Sequence, residues 1–181
     1  MEETSIIISG FGGQGTLFAG QVLAYASMDK GLEVTWIPSY GPEMRGGTAN
    51  CTVIVSQKPI GSPLVRYPDV VLAMNLPSVD KYESIVPDEG ILIANSSLMN
   101  REIERKNINS LLIPANELAE ELGLSRMANM IMVGAMIALK PILPLESVKK
   151  ALEDHIPERH QKTLPMNFKA MDQGFEFASN Q

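Results

Sequence analysis

Ser5-Ile6-Ile7-Ile8-Ser9-Gly10-Phe11-Gly12-Gly13-Gln14-Gly15 is the stretch that decides the fold. Its short β-branched run reads as a strand buried on both faces. The glycines that follow match the G-x-G-x-x-G spacing between a strand and a helix. In such a turn the first glycine permits the tight reversal and the second lets a ligand approach the backbone. The third lets helix and strand pack closely. From Thr16 to Lys30, Phe18, Val22 and Tyr25 share one helical stripe, while Leu17, Ala19, Leu23, Ala24 and Ala26 fill much of the remainder. A largely buried helix is expected there, stopped at Gly31. Glu33-Val34-Thr35-Trp36-Ile37 then reads as a second strand closed by Pro38. Strand, glycine turn, helix, strand is a βαβ unit, which predicts a parallel sheet.

Further strands are expected at Thr48–Ser56, at Asp69–Asn75 in the centre of the sheet, at Gly90–Ala94 and at Ser110–Ile113. Helices are expected at Ser78–Ile85, Asn116–Leu122, Arg126–Leu139, Leu145–Asp154 and Glu158–Ala178. The Arg126–Leu139 segment is rich in Met and reads as a core helix, with a partner-facing surface as the alternative. The expected fold is α/β. It is a single open, mostly parallel Rossmann-like sheet flanked by helices, with a helical C-terminal part, in one domain over residues 1–181. No repeat, low-complexity tract or long linker divides it.

Composition narrows the function classes. The chain has 181 residues, 45% of them hydrophobic and 20% charged, which suits a soluble globular protein and excludes a disordered or collagenous one. A net charge of −6 argues against nucleic acid and against a polybasic membrane anchor. Thr4 to Met28 carries no charge, but five glycines and a polar turn interrupt it, so no membrane span is expected. Met1-Glu2-Glu3 lacks the cationic lead of a signal peptide, and a cytoplasmic location is expected. One Cys and two His cannot supply the roughly four ligands of an iron–sulfur cluster or a structural zinc site. No metal site and no catalytic residue is assigned to this chain.

Two segments carry chemistry. Gly12, Gly13, Gln14 and Gly15 would open their backbone N–H groups to an anion at a helix start, commonly a phosphate. Their other reading is close packing alone. A nicotinamide dinucleotide site also wants an acid at the end of the second strand, and that strand ends Ile37-Pro38-Ser39. No Gly-Lys-Ser/Thr follows for a nucleoside triphosphate. The second segment is Ser39-Tyr40-Gly41-Pro42-Glu43-Met44-Arg45-Gly46-Gly47. Following the second strand, it should lie at the carboxyl edge beside the first loop, with Arg45 able to pair an anion and Glu43 able to orient Arg45. An ion pair that stiffens the loop is the plainer reading. Asn75, at the end of the central strand, would line the same cleft or fasten a loop. Cys51 falls within a strand and reads as a small buried residue. His155 and His160 stand in a charged, Pro-interrupted stretch and read as surface histidines.

Gly10-Phe11-Gly12-Gly13-Gln14-Gly15, Ala19-Gly20 and Tyr40-Gly41-Pro42-Glu43-Met44-Arg45-Gly46-Gly47 together resemble the gamma subunit of the 2-oxoacid:ferredoxin oxidoreductases. The resemblance continues through Asn75-Leu76-Pro77-Ser78, Asn129-Met130 and Gly134-Ala135 to Asn167 and Gly174, nearly the whole chain. It implies a complex that decarboxylates a 2-oxo acid on thiamine diphosphate and Mg2+. Electrons then pass through iron–sulfur clusters to ferredoxin, and an acyl-coenzyme A is released. Thiamine diphosphate belongs to alpha and beta subunits, and the clusters to a ferredoxin-like delta subunit or to the beta chain. This chain alone would bind no cofactor and be inactive. By resemblance, Gly12, Gly13, Gln14, Gly15, Tyr40, Glu43, Arg45, Gly46, Gly47 and Asn75 face the active-site or coenzyme A channel, or else form subunit contacts. A stand-alone Rossmann-type nucleotide-binding protein is the alternative function.

Overall fold

The computed structural model describes residues 3–40 and 47–181. Six strands form one sheet: β1 Thr4–Phe11, β2 Glu33–Tyr40, β3 Thr48–Ser56, β4 Val70–Ala73, β5 Ile91–Asn95 and β6 Asn109–Ile113. The helices are α1 Thr16–Asp29, α2 Leu76–Tyr82, α3 Ala115–Glu121, α4 Ala128–Leu139, α5 Leu145–His155 and α6 Leu164–Ser179. Three 3-10 turns stand at Glu83–Ile85, Ser96–Leu98 and Glu158–Thr163. No helix among the described residues is long and apolar enough to cross a membrane.

Strand order is β2-β3-β1-β4-β5-β6. β1, β4, β5 and β6 are mutually parallel, whereas β3 runs antiparallel to both β1 and β2. The sheet is mostly parallel, as expected, but the opening βαβ unit is not a neighbouring pair. β2 points the same way as β1 with β3 between them. A short connection from β2 cannot cross the sheet, so β3 returns beside β2 as a hairpin partner. Burial explains why β3 takes the inner place: Cys51, Val53 and Val55 are fully buried, while the second half of β2 is exposed. Pro38, which has no N–H to give, is tolerated on that edge.

Alternation along the inner strands divides the core. Ile6, Ile8, Val70, Leu72 and Ile93 face the larger cluster, built with α1 and α3–α6. Ile7, Val71, Ala73, Leu92 and Ala94 face a smaller one closed by Val79 and Tyr82 of α2. α4 is buried on all sides from Asn129 to Ile137, so its Met residues are core. Its contact with α6 is close enough to exclude side chains. A Cβ on Gly134 would fall on the Met171 carbonyl, and one on Gly174 on the Ile131 carbonyl.

Below the smaller cluster, Glu83 is 6% exposed and accepts from the Glu104 N–H at 2.5 Å, the Arg105 N–H at 2.9 Å and Arg101 Nη2 at 2.9 Å. Burial pushes its carboxyl up, but the combined hydrogen bonds and the Arg101 charge hold it below its ordinary value. A carboxylate lowered in the folded state stabilises fully above its unfolded pKa of about 4.3 and loses that contribution as pH falls through the folded value.

Gly134→Ala should destabilise the chain by about 3 kcal/mol, since two helix backbones must part, and so lower the melting temperature by roughly 5 °C or more. Glu83→Gln should lose about 2 kcal/mol at pH 7 in denaturant titrations. The gap to the parent protein should narrow as pH falls from about 5 to about 3.

Candidate functional site

The carboxyl end of β1 lies beside the start of β3, which in turn lies beside the end of β2. Gly10 and Phe11 pair with Ala49 and Thr48 across the ladder, and Tyr40 pairs with Ala49 from the other side. The Gly12 N–H donates to the Gly47 carbonyl at 2.9 Å, so the two glycine loops touch. Gly47, the last residue of the second segment, is thereby brought to the first loop. Glu43, Arg45 and Gly46 lie outside the described residues. Tyr40 is 71% exposed at the end of the edge strand.

Gln14 holds the turn. Its Oε1 accepts from the Phe11 N–H at 2.7 Å and from Asn75 Nδ2 at 3.0 Å, and its Nε2 donates to the Met74 carbonyl at 3.4 Å. Asn75 is the N-cap of α2, its Oδ1 accepting from the Ser78 N–H at 3.0 Å with Pro77 in the first turn. The Ser78 hydroxyl bonds Asn75 Oδ1 at 2.8 Å and Ser9 Oγ at 3.0 Å. Behind them Asn95 Nδ2 donates to the Met74 carbonyl at 3.3 Å and to Asn116 Oδ1 at 2.8 Å. Of the residues read from the sequence, the fold thus joins Gln14 and Asn75 directly. Ser9, Ser78 and Asn95 belong to the same network and were missed. The signal was available, because an Asn follows β4 and ends β5, two adjacent parallel strands, as Asn75 and Asn95.

The glycines divide their duties. The Gly12 and Gln14 N–H groups are engaged by Gly47 and Phe11. Gly13, at φ +99°, has open space where a side chain would stand. Gly15, at φ +76°, caps α1 without a side-chain bond and lies under Asn129, whose Nδ2 donates to the Gly15 carbonyl at 3.3 Å. No acid stands in the first turn of α1. An uncapped helix start with an open glycine before it favours an anion. The groups joined here are amides, hydroxyls and backbone, which fasten the turn and offer no general acid or base.

The remaining sequence candidates lie elsewhere. Cys51 is fully buried in β3, with its Sγ toward the Thr16 carbonyl at 3.5 Å. Burial pushes its thiol up to about 11, against smaller contributions from Trp36 and the Gly20 backbone, so it is no nucleophile at neutral pH. His155 stacks on Tyr25 with ring centroids 4.2 Å apart and meets Asp29 at 3.1 Å. Among the described residues no group of three or more His, Cys, Asp or Glu side chains is placed to hold a metal.

The family described as "Pyruvate ferredoxin/flavodoxin oxidoreductase" matches residues 5–177. The ketoisovalerate oxidoreductase subunit VorA of Methanothermobacter thermautotrophicus is 38% identical over 97% of this chain, which spans only 36% of that protein. The 2-oxoglutarate synthase subunit KorC of Methanocaldococcus jannaschii is 34% identical, covering 96% of this chain and 92% of its own. Among solved structures, the gamma subunit of a keto/oxoacid ferredoxin oxidoreductase from Geobacter sulfurreducens superposes with a TM-score of 0.82 at 31% identity, over 98% of this chain and 99% of that one. A 2-oxoglutarate:ferredoxin oxidoreductase from Magnetococcus marinus, with 2-oxoglutarate, coenzyme A and succinyl-CoA bound, shares the fold at a TM-score of 0.89. It does so at 24% identity, over 100% of this chain and 32% of its own.

The Gln14 amide bridges a turn and two strands, so Gln14→Ala should lower stability by about 2 kcal/mol. It should also speed amide hydrogen exchange at Phe11 well beyond its effect at β6, read by exchange mass spectrometry.

Proposed function

The chain belongs to the pyruvate ferredoxin/flavodoxin oxidoreductase family, and on that premise we propose that it works as the gamma subunit of a 2-oxoacid:ferredoxin oxidoreductase. The observation that carries this reading is the end-to-end match to a free-standing gamma subunit, over 98% of one chain and 99% of the other. The reaction converts a 2-oxo acid and coenzyme A to an acyl-coenzyme A and carbon dioxide, with two electrons passing to ferredoxin. Thiamine diphosphate and Mg2+ sit on alpha and beta partners, and the iron–sulfur clusters on a ferredoxin-like delta subunit or domain. The complex works in the cytoplasm and engages neither nucleic acid nor membrane.

The residues of this chain fit one of these groups and not another. A cluster does not fit, because the one Cys is buried and its thiol is pushed up to about 11. Coenzyme A fits the glycine loop. It supplies the thiol that accepts the acyl group, and its phosphates suit an open Gly13 before an uncapped α1. In this reading Gly13, Gly15 and the first turn of α1 give backbone donors, and Arg45 adds a fixed positive charge. Gly12, Gln14, Gly47 and Asn75 hold the loop in place, and Tyr40 stands at the end of the neighbouring strand. Relatives named for ketoisovalerate and for 2-oxoglutarate match at comparable identity, which supports a substrate choice made by the thiamine-bearing partners.

A stand-alone dinucleotide-binding protein is not favoured. The strand that would carry the ribose-binding acid ends at Tyr40, and β3 separates it from β1. The deciding experiment is reconstitution with the partner subunits. Arg45→Ala should raise the coenzyme A KM by roughly tenfold, as expected for loss of one charge-assisted bond, with the 2-oxo acid KM unchanged. Unchanged coenzyme A kinetics with impaired assembly would instead make both loops subunit contacts.

A further inference from the structure

A cavity of about 510 Å³ lies between α1, the start of α4, the end of α5 and the segment leading into α6. The carboxyl-edge network does not use it. Its size is that of a small-molecule site. Phe18, Val22, Leu152 and Ile156 supply apolar lining suited to a flat ring. Tyr25 lines it too, its ring stacked within 7° of parallel on His155.

Among the described residues the polar lining holds one fixed cation and no acid. Arg126, His155 and His160 line the cavity, and no Asp or Glu does so among the described residues. Arg126 makes no ion pair or hydrogen bond among the described residues. An unpaired guanidinium beside an apolar space suits an anion, phosphate above all. Asn129, 6% exposed, lines the cavity as well, and its Oδ1 has no hydrogen-bond partner among the described residues. Leaving a buried acceptor unpaired is costly, so a donor is wanted there. Adenine offers a donor, its N6 amine, where guanine held in the same orientation presents the O6 acceptor, its own N1–H and N2 donors lying on the adjoining edge.

We propose that this cavity binds an adenosine phosphate, with the purine against Phe18 and Leu152, its N6 amine at Asn129 and the phosphate at Arg126. The assignment goes beyond the coenzyme A reading of the glycine loop and does not depend on it. Coenzyme A, which ends in an adenosine phosphate, is one source of this chemistry, and a free adenine nucleotide is the other.

The test is calorimetry on the full chain with AMP, GMP, inorganic phosphate and coenzyme A as probes. AMP should bind once per chain, GMP at least tenfold more weakly, and phosphate alone without measurable heat. Arg126→Gln, an exposed substitution, should weaken AMP about tenfold. Asn129→Leu should remove the preference for AMP over GMP. Coenzyme A competing with AMP would support the cavity and identify the coenzyme as the source. AMP binding without that competition would support it with a free nucleotide as the source. Gly13→Val keeps the two readings separable: coenzyme A binding lost with AMP binding intact places the phosphates of the coenzyme on the loop and leaves the cavity standing. No AMP binding at millimolar concentration, or AMP binding indifferent to both Arg126→Gln and Asn129→Leu, overturns the proposal.

Discussion

The carboxyl edge of a parallel sheet leaves backbone groups that no neighbouring strand can satisfy, and here the Gln14 amide meets them. It accepts from the Phe11 N–H, accepts from Asn75 Nδ2 and donates to the Met74 carbonyl. With that one side chain in place, β1 can end in an open turn rather than continue into a rigid cap. Buried polar groups must be paired, and satisfying them with a side chain leaves Gly13 and the start of α1 free for something else. The turn is held from below, while its outer face stays open.

The rest of the larger layer follows from where α4 must sit. A helix apolar on every side has no face for water, so it lies at the centre and other helices surround it. α6 reaches it only because Gly134 and Gly174 remove side chains from both sides of the crossing. The amino end of α4 places Asn129 against Gly15, so the core helix and the glycine turn are one mechanical unit. The same placement opens a space between α1 and α5, the cavity whose lining carries a guanidinium and amides but no acid among the described residues.

Much of this was legible in the order of residues. Strand β3 was read with the bounds it has, and α1 differs by one residue at its end. Period and punctuation are local properties, so elements built on them are readable one segment at a time. The start of α2 was read two residues late, although Asn75 and Pro77 spell an N-cap and a first turn. The pairing of β3 between β2 and β1 was not legible. Hairpin and crossover partners are chosen by which strand can be buried on both faces, and that depends on the whole sheet.

Residue type and spacing are enough for the α/β class, the glycine turn before α1 and a thiol count too low for a cluster. Which of those residues meet depends on how the elements pack. Gly12 lost its N–H to Gly47, Gln14 and Asn75 became fasteners, and Arg126, Asn129 and His155 gathered around one cavity. Hydrogen-bond donors and acceptors choose partners by proximity in space, and residues far apart in the chain become neighbours only when the helices pack.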